Sequence, residues 1–201
     1  MKKALRPTLF TLLLVTLMPL PGHAEESSHK YLEQTFDEIR QILNLNEDQE
    51  HKSRLLRSLF FSEVDLKEVS RQTLGGYWEV ISEGMQAGFA SIFGEFLAQR
   101  FISEISRIQN VQITFAPGEE TSGKARVLGR MKKSDGSETV VQFVLNRSPQ
   151  GDWKVSGAEV EGINFLANFR SQFRKIIRDS SFDSLLARIR NKFRENSEDK
   201  K

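Results

Sequence analysis

The chain has 201 residues, with 29 Lys and Arg against 27 Asp and Glu, three His and no cysteine. So small a net charge excludes a nucleic-acid binder held by bulk electrostatics, and the missing cysteines exclude a disulfide-stapled scaffold and argue against a His/Cys metal centre. A chain of this length can bury one sizeable core, so packing alone must hold the fold.

Residues 1–24 begin with Lys2, Lys3 and Arg6, continue through an apolar run from Leu9 to Leu20, and finish with Pro19, Pro21, Gly22 and Ala24. That order predicts a secretory signal peptide cleaved after about Ala24. The apolar run of about a dozen residues is shorter than the roughly 20 needed to span a bilayer. Cleavage removes three basic residues and no acidic one, leaving 26 against 27, a net charge of −1. The charge is uneven, because Ile163 to Lys201 holds ten basic and five acidic residues while Glu25 to Gly162 holds sixteen and 22. The expected organisation is a signal peptide at 1–24, one domain over 25–195 and a frayed polar tail over 196–201.

Helical spacing fills the span 28–108. Leu32, Phe36, Ile39 and Leu43 mark a first helix, and Asn46 is placed to cap a second carrying Leu55, Leu56, Leu59 and Phe60. Asp65 with Glu68 starts a third in the manner of a capping box, and Gly75 with Gly76 ends it. Ser82 then caps a long helix with Met85, Phe89, Ile92, Phe93, Phe96, Leu97, Phe101, Ile105 and Ile108 as apolar positions and three interspersed glycines. From 110 to 161 the period changes to two. Four runs are separated by Pro117-Gly118 with Gly123, by Asp135-Gly136, and by Pro149 with Gly151, which predicts an antiparallel meander. Its apolar face collects Val127, Gly129, Met131, Val141, Phe143, Leu145, Trp153 and Val155; Arg126, Arg130, Gln142, Asn146 and Lys154 alternate onto a wet face. Asn164 caps the first of two closing helices over 164–195, which carry Phe165, Phe169 and Phe173, then Phe182, Leu185, Leu186, Ile189 and Phe193. The class is α+β: an antiparallel sheet with helices covering one face.

The chain contains no P-loop, GxGxxG, HExxH or GxSxG motif. His29 lies near the new N-terminus and His51 among charged residues, so both read as solvated. Acidic pairs have no recognisable catalytic context, which makes a carboxylate hydrolase the minor reading and a binding protein the major one. Fifteen phenylalanines stand against two tyrosines and two tryptophans. They read either as a packed aromatic core or as the walls of an apolar cavity for a hydrophobic ligand. Arg170, Arg174 and Arg178 share one helical stripe and read either as a solvated face or as a contact for anionic headgroups or an acidic partner.

Two segments carry a family resemblance. The first holds Trp153, Lys154 and Val155, then Glu161-Gly162, then Asn168, Phe169, Arg170 and Phe173, with Leu185 and Leu186 following. The second holds Leu74, Gly75, Tyr77, Trp78, Ser82, Phe89 and Phe93. In order and spacing they resemble the MlaC, or toluene-tolerance, family of periplasmic phospholipid carriers. The resemblance implies an NTF2-like four-stranded antiparallel sheet covered by helices, with a helical annex at the N-terminus. It implies a periplasmic location and an apolar cavity for acyl tails between sheet and long helix, here lined by Trp78, Phe89, Phe93, Phe96, Leu97, Val127, Gly129, Val141, Phe143, Leu145, Phe169 and Phe173. It further implies a monomer without cofactor, metal or catalysis. Such a carrier would shuttle phospholipid between an inner-membrane ABC transporter complex of Mla type and an outer-membrane lipoprotein-porin complex. Arg170, Arg174 and Arg178 are the expected partner or headgroup contacts.

This chain departs from the family pattern at three positions. Asn164 replaces a serine and keeps the cap, while Gly157 replaces an acidic residue and Phe169 a tyrosine, each removing a polar group. Those two losses leave room for a different lipid, such as a hopanoid. The alternative from another class is a docking module with a full core and a basic tail.

Overall fold

In the computed structural model, which describes residues 27–106, 111–132 and 136–198, helices lead, strands follow and two helices close the chain. The expected signal peptide, Ile108 of the expected long helix, Asp135 of the expected hairpin turn and residues 199–201 of the expected tail lie outside the described residues. The elements are α1 (Ser28–Asn44), α2 (Gln49–Glu63), α3 (Leu66–Leu74), a single 3-10 turn at Gly75–Tyr77, and α4 (Glu83–Ile105). Then come β1 (Gln112–Thr121), β2 (Lys124–Lys132), β3 (Glu138–Arg147), β4 (Trp153–Val160), β5 (Ile163–Asn164), α5 (Phe165–Asp179) and α6 (Phe182–Glu198). Helix α6 therefore runs past the expected boundary at 195.

Side chains hold the helix starts where free backbone N–H groups need acceptors. Asp65 accepts from the Glu68 N–H at 3.0 Å, Ser82 from that of Met85 at 3.3 Å, and Asn164 from that of Ala167 at 2.9 Å. The second helix departs from expectation. Its cap is Asp48, which accepts from the His51 N–H at 2.7 Å, because the chain turns two residues later than Asn46.

The sheet is antiparallel in the order β1-β2-β3-β4-β5, one short strand more than expected. Glu161 and Gly162 both take positive φ, which folds the chain back through a two-residue turn and pairs Val160 with Ile163. Ser122 and Gly123 do the same between β1 and β2. Pro117 and Gly118, expected to end the first strand, instead form a bulge inside it. Only glycine fits there, since a Cβ on Gly118 would collide with the Arg126 carbonyl.

The apolar interior divides into three clusters. Helix α1 lays Tyr31 and Leu32 on Ala125, Val127, Leu145 and Trp153 of the sheet, while its second half packs Ile39, Ile42 and Leu43 against Leu56 and Leu59 of α2 and Ile105 of α4. Helix α4 buries Phe89, Phe93, Gly94, Ala98 and Ile105 and half-buries Ile92, Phe96 and Leu97 beside them. It lies within a helical layer made with α2, α3 and α6, and α5 joins that layer through ring contacts. The β4 edge is closed by β5 and by Val64, whose neighbour Asp65 donates its N–H to the Val155 carbonyl at 2.9 Å.

Candidate functional site

The aromatic residues expected from the sequence meet at the centre of the helical layer. Phe93 is fully buried, with its ring 5.3 Å from Phe89, 5.4 Å from Phe169, 5.5 Å from Phe173 and 6.2 Å from Phe96. Phe169 and Phe173 meet Phe93 edge-to-face, an arrangement favoured by the ring quadrupole, while Phe89 and Phe96 stack on it. Trp78, Leu166, Leu185 and Ile189 belong to the same cluster, and Ile92, Phe96, Leu97 and Phe169 are half-buried around it. Helix α6 packs chiefly on α4 and α5, so it closes the cluster as an outer element.

Val127, Gly129, Val141, Phe143 and Leu145 do share one sheet face, but they do not face α4. Helix α1 covers Val127, Phe143 and Leu145 instead, with the Phe36 ring 5.2 Å from Phe115 and 5.7 Å from Phe143, and Val141 pairs with Gly129 farther along the same face. Gly129 is already filled from above, because a Cβ there would lie 3.1 Å from Phe143 and 3.2 Å from Phe115. The twelve expected lining residues therefore form two groups, seven in the helical layer and five on the apolar face of the sheet.

Arg170 corrects the expectation that it turns away from the fold. Its Nε donates to the Gln72 carbonyl at 2.5 Å, and its stem lies over Gly75, where a Cβ would stand 3.5 Å from its Cδ. The last turn of a helix leaves carbonyls without partners, and a cation satisfies them. The two family segments thus touch: the arginine of one lies against Gly75 of the other, whose φ of 58° favours glycine. Arg178 is exposed and donates to Asp179 at 2.8 Å, while Arg174 is exposed on the same stripe.

Two grooves flank the layer. Between α4 and α6 lies one of about 480 Å³, lined by Ile92, Glu95, Ala187, Arg190, Asn191, Phe193 and Arg194. Only the spacing of Arg190 and Arg194 around Phe193 hinted at it in the sequence. The other, about 540 Å³, lies on the wet face of the sheet beside α3 and carries Glu68, Glu119, Lys124 and Arg126. Arg71, bonded to Glu68 at 2.8 Å, holds that carboxyl below its usual range. Glu120, in β1, accepts from the Ser28 N–H at 2.6 Å; partial burial pushes its carboxyl up, but hydrogen bonding to Ser28 outweighs this and holds it low. Among the described residues no group of His, Asp and Glu is placed to hold a metal ion, and no helix is long and apolar enough to cross a membrane.

A family model described as "MlaC protein" matches residues 30–191. The toluene tolerance protein ttg2D of Pseudomonas putida is 28% identical over 171 residues, which cover 81% of this chain and 78% of that one. Among solved structures, a phospholipid-binding protein from Ralstonia solanacearum in complex with a phospholipid superposes with a TM-score of 0.74 at 13% identity, covering 86% of this chain and 99% of its own. At that identity the likeness establishes a shared fold.

Proposed function

Because the chain belongs to the MlaC family, we propose that it is a periplasmic phospholipid carrier that shields acyl tails in its helical layer and moves lipid without a catalytic step. The observation that carries this reading is the aromatic layer itself, closed on one side by an outer helix that packs chiefly on α4 and α5. Each buried methylene is worth about 0.8 kcal/mol, so one chain of ~15 carbons releases on the order of 12 kcal/mol before costs.

Trp78, Phe89, Phe93, Phe96, Leu97, Phe169 and Phe173 would line the tails, while Val127, Phe143 and Leu145 would anchor α1 to the sheet, with Gly129 and Val141 completing that sheet face. The relative from Ralstonia solanacearum, in complex with a phospholipid, supports the choice of cargo. The partners implied by family membership are an inner-membrane ABC transporter complex and an outer-membrane lipoprotein-porin complex. Arg174 and Arg178, both exposed, are available to acidic surfaces on them. Native mass spectrometry of protein exported to the periplasm and purified without detergent should show an added phospholipid mass. A population wholly without lipid would overturn the reading.

A further inference from the structure

We propose that the groove between α4 and α6 holds the phosphate end of the bound lipid, with Arg190 and Arg194 as its phosphate ligands; this rests on the carrier reading. Three observations converge on the groove. Its apolar lining is continuous with the aromatic layer, because Ile92 both lines the groove and packs against the cluster, and Ala187 and Phe193 extend the apolar surface onto α6. Arg190 and Arg194 are four residues apart on one helix and therefore on one face, and both line the groove. Glu95, the acidic residue of the lining, is tied by both carboxylate oxygens to Arg57 of α2, so it does not neutralise them.

The arginines keep donors to offer. Arg194 gives one Nη to the Asn191 side chain at 2.5 Å, and Arg190 has no hydrogen-bond or ion-pair partner among the described residues. A guanidinium fork suits a phosphate, which it binds with two parallel hydrogen bonds. A volume of about 480 Å³ lies within the range of small-ligand sites. Neither Arg170, committed to the α3 carbonyl, nor Arg178, paired with Asp179, lines this groove. A lipid with its tails in the aromatic layer and its phosphate at this groove satisfies both surfaces without a buried unpaired charge.

The test uses the full exported chain, stripped of lipid and offered vesicles of phosphatidylglycerol, dispersions of diacylglycerol, or inorganic phosphate alone. R190A and R194A should each weaken phosphatidylglycerol uptake about tenfold, a change of about 1.4 kcal/mol, while leaving diacylglycerol uptake unchanged. A187W, at an exposed position, should fill the groove and weaken uptake of both lipids; if it unfolds, the two arginine variants still decide the matter. R40A on α1 serves as the charge-loss control. Wild-type uptake of phosphatidylglycerol that is unchanged in every variant would overturn the groove while leaving the carrier reading intact. Absence of uptake by the wild type would overturn both. Inorganic phosphate bound through the same arginines, with lipid uptake unaffected by their loss, would also overturn the proposal.

Discussion

Phe93→Ala tests most sharply whether the aromatic layer is a packed core in the lipid-free protein. The ring is fully buried and lies within 6.2 Å of four other phenylalanine rings. Truncating a buried phenylalanine costs about 3–5 kcal/mol, through lost transfer free energy and the cavity left behind. Loss of the edge-to-face contacts with Phe169 and Phe173 places the expected value near ~4 kcal/mol. For a chain of this size each kcal/mol lowers the melting temperature by about 2–4 °C, so a fall of roughly 8–16 °C is expected. Urea denaturation followed by far-UV circular dichroism on delipidated protein measures the difference directly. A loss below about 1 kcal/mol would refute the reasoning, since it would mean the ring faces space that only a ligand fills. Phospholipid added back should narrow the gap, because a bound tail stabilises the folded state by mass action.

Other outcomes follow from single contacts. Gly129→Val should destabilise the protein by about 1–3 kcal/mol through overpacking against Phe143 and Phe115, whereas Gly88→Ala, with open space at its Cβ, should leave or slightly raise the melting temperature; equal effects would contradict the packing of the two rings over Gly129. Arg170→Ala should cost about 1.5–3 kcal/mol in urea melts by leaving the Gln72 carbonyl without its charged donor, and a variant of unchanged stability would restore Arg170 to the candidates for partner contact. The lowered Glu120 carboxyl stabilises the fold above the unfolded carboxylate pKa of about 4.3, and that contribution is lost as pH falls through the lower folded value. Melting temperatures from pH 7 to pH 3 should therefore fall less in Glu120→Gln than in the wild type; identical slopes would show that the Ser28 contact carries no such linkage.

Element types were legible because they depend on local periodicity. The caps at Asp65, Ser82 and Asn164 and the apolar face of the meander follow from spacing alone. Partner choice was not legible, because a hydrophobic face specifies burial and not what buries it. The sheet face and α4 were both apolar, and nothing in the spacing showed that Tyr31, Leu32 and Phe36 of α1 would take the sheet while α4 gathered α5 and α6. The hydrogen bond of Arg170 was hidden for a related reason. A helical stripe locates the residue on its own helix, but the acceptor for its Nε comes from 98 positions earlier, at the end of α3. The groove residues were hidden similarly, since Ile92 and Arg190 become neighbours only through the packing of α4 on α6.

The most direct measurement is extraction of fluorescent phosphatidylglycerol from vesicles, with the exported protein then separated from the vesicles by size exclusion. The expected result is that lipid co-elutes with the monomer and can be passed to fresh acceptor vesicles. Lipid that remains entirely with the donor vesicles at every protein concentration would contradict a carrier function.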